Sequence, residues 1–299
     1  MVLNMKNNEK IITIIVNYCK PQDTIECVKS VLNSKNISSI FILIVDNGSN
    51  DDSYYLLSNY FLNESRIKII STHKNLGFTG GYNIGIKYAL ERNFDWVFIL
   101  NNDTTVLDNT IRFLLNPSYD VVIPKILVYD TPNFVWSAGA KWRKFPPGVI
   151  MEGYLKNDSA DLNRSKKINY ATGCAIMIRQ NSLKLLNGFD DDFINYFEDY
   201  DFFYRANQIE LNIYYEAKSI VFHKISQTLG NFSKERWFFL GRNSFLFFRK
   251  NNRFPYPTFI IYVVWFLFRE SLKGNIALLP SFINGLIAGR NFLEKKMDN

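Results

Sequence analysis

The chain has 299 residues, 47% of them hydrophobic, and carries a formal net charge of +7. That length and apolar share suit one large α/β domain with an appendage and exclude an intrinsically disordered chain. Its three cysteines, Cys19, Cys27 and Cys174, show no close pair at metal-ligand spacing, which excludes a disulfide framework or a zinc cluster and fits a reducing cytosol.

Lys6 and Lys10 precede the apolar run 11–16, which is too short for a signal sequence and ends in polar Asn17-Tyr18, so no export signal is read. The β-branched run itself predicts a buried strand, and Pro21 sits where a first helical turn would begin. Further strands are predicted at 41–45, 67–71 and 96–100, and helices at 52–61 and 81–92, the second with Ile84, Tyr88 and Ala89 on its apolar face. Strand and helix in alternation predict a mostly parallel sheet. Ligands of such sheets bind beyond the C-terminal strand edges. Asn17-Tyr18, Asp46-Asn47-Gly48-Ser49 and Asn101-Asn102-Asp103 all fall there.

These strand ends offer distinct chemistry. A carboxylate at Asp46 can accept from a nucleobase imide N–H, with the Tyr18 ring for stacking; alternatively, Asp46 and Ser49 cap the next helix. The segment from Asn75 through Gly77, Gly80, Gly81 and Asn83 is a glycine-bearing loop opening a helix, whose N–H groups can approach a phosphate or sugar. It is neither a Walker loop nor a Gly-x-Gly-x-x-Gly fingerprint. Asp103 ends an apolar strand, and Glu198-Asp199-Tyr200-Asp201 gathers three more carboxylates. Such an arrangement suits metal-assisted transfer from a nucleotide-activated donor. Asp201 and Arg205 are also spaced for an ordinary helical ion pair. Residues 124–167, which hold Trp136, Trp142 and Pro146-Pro147-Gly148, read as a less regular stretch of loops and a hairpin making acceptor contacts, its aromatics either stacking on sugars or simply packing, and 170–179 reads as a strand headed by Thr172-Gly173.

The tail differs from the rest. Residues 230–299 hold eleven Lys/Arg against four Asp/Glu, so all the net charge lies there, and the first 229 residues are balanced at 24 of each. The apolar run 259–268 lies between Arg253 and Arg269 and is shorter than the roughly 20 residues a membrane span needs. It suits a helix lying in an anionic membrane surface; the other reading is a core helix or a homo-oligomer interface. The basic residues belong to apolar helices rather than to a nucleic-acid module.

Taken in order, Val45-Asp46-Asn47-Gly48-Ser49, Asn75-Leu76-Gly77-Phe78, Gly80-Gly81, Asn83, Leu100-Asn101-Asn102-Asp103, Thr172-Gly173-Cys174-Ala175, Gly188-Phe189-Asp190, Phe197-Glu198-Asp199-Tyr200-Asp201 and His223 resemble the family 2 inverting glycosyltransferases of GT-A fold, most of all the bacterial rhamnosyltransferase-like branch. The resemblance covers about residues 10–250. It implies a nucleotide-sugar donor, dTDP-L-rhamnose first, bound along Asn17, Tyr18, Asp46, the glycine loop and Asn102. It also implies a divalent ion, Mn²⁺ or Mg²⁺, held by Asp103 and His223 with Asn101 supplying at best an amide oxygen. The family's aspartate-x-aspartate pattern is reduced here to one carboxylate, which implies weaker metal retention. The second acid of the Glu198-Asp199 pair, Asp199, would be the base.

The expected protein is thus a GT-A, Rossmann-like catalytic domain at 1–230 with a helical, membrane-associating extension at 231–299. It would work on the inner face of the cell membrane, adding one sugar to a lipid-linked or polysaccharide acceptor. The alternatives are a UDP-hexose or UDP-N-acetylhexosamine transferase on the same fold, or a noncatalytic sugar-nucleotide-binding scaffold subunit.

Overall fold

A computed structural model describes residues 9–35, 37, 39–225, 233–251 and 256–298. Lys6, Arg253 and the expected domain junction at 230/231 lie outside the described residues. The first half alternates as expected: β1 (Ile11–Asn17), α1 (Pro21–Leu32), β2 (Ile40–Asp46), α2 (Ser53–Tyr60), β3 (Ile67–Ser71), α3 (Gly77–Glu91) and β4 (Trp96–Asn101). The strands pair in parallel in the order β3-β2-β1-β4. Ile11, Ile12, Ile14 and Ile15 are all at most 1% exposed, because β1 is central and its two faces meet separate apolar clusters. A β-branched run without polar alternation is what a doubly covered strand requires.

Helix α3 begins four residues earlier than its apolar pattern suggests. Its buried stripe is Tyr82, Gly85, Ile86 and Ala89, while Ile84 and Tyr88 are only partly buried. The shift follows from Gly85: a Cβ there would stand 2.4 Å from the Ile14 side chain, so the helix lies close on β1 along its glycine face.

After β4 the chain makes β5 (Thr104–Val106), α4 (Thr110–Leu114), β6 (Val121–Val128), β7 (Phe134–Ser137), β8 (Ala140–Arg143), β9 (Gly148–Met151), β10 (Lys156–Asn157), β11 (Lys166–Lys167), β12 (Ala175–Arg179), α5 (Gln180–Leu186), α6 (Glu198–Gln208) and β13 (Ile213–His223). Strand β12 inserts antiparallel between β4 and β6, extending the parallel half into an 11-stranded mixed sheet. β8 and β9 form the expected hairpin, outside that sheet.

Three helices follow: α7 (Lys234–Lys250), α8 (Tyr256–Leu272) and α9 (Leu279–Met297). α7 and α9 meet backbone to backbone. A Cβ on Gly241 would stand 2.0 Å from the Phe282 carbonyl oxygen, and one on Gly285 2.0 Å from that of Phe238. The outer surface of α8 and α9 stays apolar, with Ile260, Val264, Phe268, Ile283 and Ile287 exposed. Among the described residues one helical stretch, Ile276–Lys296, is long and apolar enough to cross a membrane by length and composition, and 17% of its apolar window is buried.

Candidate active site

Strand pairing assembles the first half of the site. β13 runs antiparallel to β5 with His223 opposite Thr104, and the Lys224 N–H donates to the Asp103 carbonyl at 2.9 Å. The register therefore brings His223 Nε2 to 3.3 Å from Asp103 Oδ1, with both residues at most 9% exposed. Trp136 packs edge-on against the imidazole at 5.5 Å, so this tryptophan fixes a site residue. His223 Nδ1 is buried with no hydrogen-bond partner among the described residues. One carboxylate and one imidazole converging at a strand edge are a donor set that fits Mn²⁺ or Mg²⁺ completed by diphosphate and water oxygens. Among the described residues no third His, Cys, Asp or Glu joins them. The Asn101 amide oxygen accepts the Tyr82 hydroxyl at 3.2 Å, which commits one of its lone pairs, and the Asn102 amide donates to Thr24 Oγ1 at 3.1 Å.

At the ends of β1 and β2, Asp46 is 1% exposed and accepts from Asn17 Nδ2 at 2.8 Å and Ser49 Oγ at 2.7 Å. The Asn17 oxygen accepts in turn from Thr24 Oγ1 at 2.7 Å. The capping alternative for Asp46 and Ser49 does not hold: α2 starts behind Asp52 without a side-chain cap, and Asp51 Oδ1 accepts from the Ser53 N–H. Asp46 instead locks two strand ends together, beside a Tyr18 that is 41% exposed.

The N–H groups that open the glycine segment are engaged within the protein. The N–H groups of Leu76, Gly77, Phe78 and Thr79 donate to Asn47 Oδ1, Asn75 Oδ1, Asn195 Oδ1 and the Ile194 carbonyl at 2.8–3.1 Å. Gly77, at φ +72°, is small because a Cβ would meet Ile194 at 2.5 Å, and Gly81 because a Cβ would meet Val16 at 2.9 Å. Gly80 faces only the Leu76 side chain. Asn83 clamps the neighbouring loop, donating to the Phe189 carbonyl and Asp191 and accepting from the Phe189 N–H. These residues seat the turn before α6.

That turn carries the second half of the site. Ile194, Tyr196 and Phe197 all have positive φ, at 57°, 64° and 68°, conformations unfavourable for such side chains and frequent at functional positions. Sequence reasoning missed what holds them. Asn243 of α7 is fully buried, with Nδ2 at 2.6–2.8 Å from the carbonyl oxygens of Phe193, Asn195 and Tyr196. A lone Asn within the aromatic run of α7 is the only signal the sequence offers for it.

The acids follow at once. Burial pushes the Asp199 carboxyl up to about 6, against hydrogen bonds from the Tyr170 hydroxyl and the N–H groups of Tyr200 and Gly173 that favour its charged form. Burial, and then the Asp199 charge, push Glu198 well above the usual carboxylate range. Glu198 Oε2 is buried without a hydrogen-bond partner among the described residues. Asp201 pairs with Arg205 at 2.6 Å, the ordinary helical ion pair its spacing suggests. The two halves connect through a short bridge: the Asn101 N–H donates to the Cys174 carbonyl at 2.9 Å, and Gly173 donates to Asp199. A metal-type pair and a carboxylate poised to accept a proton near neutral pH therefore flank the end of β4.

The family model for glycosyl transferase family 2 matches residues 11–186. A low-salt glycan biosynthesis hexosyltransferase, Agl10 of Haloferax volcanii, is 26% identical over 297 aligned residues, covering 92% of this chain and 89% of its own. Among solved structures, GalNAc-T7 with UDP, GalNAc and Mn²⁺ superposes with a TM-score of 0.60 at 15% identity, over 73% of this chain and 44% of that one. The mannosyltransferase PcManGT of Pyrobaculum calidifontis, with GDP-Man and Mn²⁺, gives a TM-score of 0.54 at 14% identity, over 94% of this chain and 75% of that one. The chain thus spans less than half the length of the first of these structures, and at such identities the likeness shows the fold, which is GT-A-like.

Proposed function

Because the chain belongs to glycosyl transferase family 2, we propose that it is an inverting, metal-assisted glycosyltransferase with Asp199 as general base. The observation that carries this is Asp199 itself, raised to about 6 and one hydrogen-bonded bridge away from the Asp103–His223 pair. In the reaction an acceptor O–H loses its proton to Asp199, and its oxygen bonds to the donor's anomeric carbon. The carbon–oxygen bond to the nucleoside diphosphate breaks on the opposite face, and the diphosphate leaves with the electron pair. A divalent ion held by Asp103 and His223 would stabilise that diphosphate's charge. Tyr18, exposed at the end of β1, is the ring offered to the nucleobase, while the buried Asp46 holds together the two strand ends beside it.

The ordered motifs favour dTDP-L-rhamnose as donor. A UDP-hexose or UDP-N-acetylhexosamine is the second reading, supported by the hexosyltransferase relative and by the UDP-bound structural neighbours. A panel of nucleotide sugars with released nucleoside diphosphate as readout, followed by NMR of the product's anomeric configuration, tests the proposal. Release from no donor, or a product with retained configuration, refutes it. We further propose attachment to the inner face of the cell membrane through the exposed apolar face of α8 and α9, which supports a lipid-linked acceptor.

A further inference from the structure

Glu198 and Asp199 line a cavity of about 310 Å³ together with three arginines, Arg143, Arg236 and Arg269. They come from the β8–β9 hairpin, α7 and α8 respectively, so no single helical face explains their meeting. Arg143 donates from Nε to the Pro146 carbonyl and Arg269 from Nε to Glu270, each bond using one of five guanidinium N–H groups. Arg236 lies over the Tyr196 ring at 5.5 Å, beside the turn that leads into the acids. Trp265 Nε1 faces the same region, buried and without a hydrogen-bond partner among the described residues. The three arginines outnumber the two acids of the cavity, of which burial holds Glu198 toward its neutral form, so the lining favours an anion. Guanidinium groups match phosphate oxygens bidentately. The way out is apolar: Tyr262, Trp265 and Phe266 line the cavity from α8, and the outer face of that helix exposes Ile261, Val264 and Phe268.

We propose that this cavity is the acceptor site and that the three arginines bind a phosphate or diphosphate joining the acceptor sugar to a lipid. The sugar hydroxyl then meets Asp199, the phosphate meets the arginines, and the lipid leaves along α8 toward the bilayer. This rests on the glycosyltransferase reading and names its acceptor as an anionic glycolipid.

The test compares two acceptors in detergent micelles, the same sugar joined to the same alkyl chain through a diphosphate or through a plain glycosidic oxygen. The full-length protein should prefer the diphosphate by at least tenfold in kcat/KM. Arg143→Gln, Arg236→Gln and Arg269→Gln should each lower that preference several-fold, mainly through KM, and Lys replacements should restore part of it. Equal activity on both acceptors, or variants that slow both equally, would overturn the proposal. Variants that weaken binding to phosphatidylglycerol vesicles while keeping the acceptor preference would also overturn it, since the arginines would then read bilayer headgroups. Equilibrium binding of the alkyl diphosphate alone, without a donor, decides the site even when no sugar is transferred. Acceptor-independent release of nucleoside diphosphate separately reports on the glycosyltransferase reading.

Discussion

The amide nitrogen of Asn243 lies 2.8 Å from the carbonyl oxygen of Tyr196, so a helix of the basic tail holds the turn that leads into Glu198 and Asp199. Helix α8 adds Tyr262 and Arg269 to the cavity beside them. The tail is therefore part of the site as well as a candidate membrane surface. Asn243→Ala leaves three carbonyl oxygens without this donor, and each group left buried and unsatisfied costs about 1–3 kcal/mol. The melting temperature should fall and kcat should fall further than donor affinity. Asn243→Asp, which keeps the shape without the N–H donors, should behave alike; wild-type kcat in both would show that the turn holds itself.

Asp103 and His223 should act together on the ion. Asp103→Ala should nearly abolish transfer and remove any enhancement of nucleoside diphosphate binding by Mn²⁺, as measured by calorimetry with and without the ion. His223→Ala should change the same two quantities in the same direction. Metal-enhanced nucleotide binding that persists in Asp103→Ala would place the ion elsewhere.

Transfer should rise with pH through about 6 if ionised Asp199 takes the acceptor proton, because only the deprotonated form can accept it. Asp199→Asn should bind the donor, lose the acidic limb of the pH profile and transfer roughly 10²–10⁴-fold more slowly. Near-full activity in that variant, alongside loss in Glu198→Gln, would exchange their roles.

Glu198 should destabilise the fold at neutral pH. Its folded pKa is raised above the ordinary 4.5, first by burial and then by Asp199, so the fold binds its proton more tightly than the unfolded chain does. The stability linked to that proton is present below pH 4.5 and is lost as pH rises toward the folded value. Glu198→Gln should therefore melt higher than the parent at pH 8, by roughly 2–4 °C for each kcal/mol relieved, with the gain vanishing near pH 4. A gain independent of pH would mean that packing, rather than charge, is responsible.

The parallel half of the sheet was legible because β-branched runs such as Ile11-Ile12 and Ile14-Ile15 announce strands covered on both faces. The Asp103–His223 pair was legible only through the order of motifs, since 120 residues separate its members and the β5–β13 register that joins them is written in neither segment. The glycines at 77 and 81 were visible, but a glycine signals close approach without naming what approaches. Here it is Ile194 and Val16. Asn243 and the three cavity arginines left no local pattern, because they are spread over the β8–β9 hairpin, α7 and α8 and acquire their roles only when the tail packs on α6 and the hairpin.

The last prediction separates membrane docking from self-association. Val264 and Ile287 are 61% and 54% exposed and line one apolar groove between α8 and α9. Charged replacements there should leave the fold intact, because little of either side chain is buried. The double variant Val264→Glu/Ile287→Glu should bind anionic vesicles at least tenfold more weakly, since burying each parent side chain contributes about 1.5–3 kcal/mol and glutamate is repelled by the surface. Binding of the parent should weaken with salt but persist, because basic residues contribute about 1 kcal/mol each and are screened, whereas apolar insertion is not. The decisive control is light scattering of both proteins without lipid. If the parent is a dimer that the double variant dissolves, and neither protein sediments with vesicles at low salt, the apolar face joins two copies of the chain and the membrane reading is wrong.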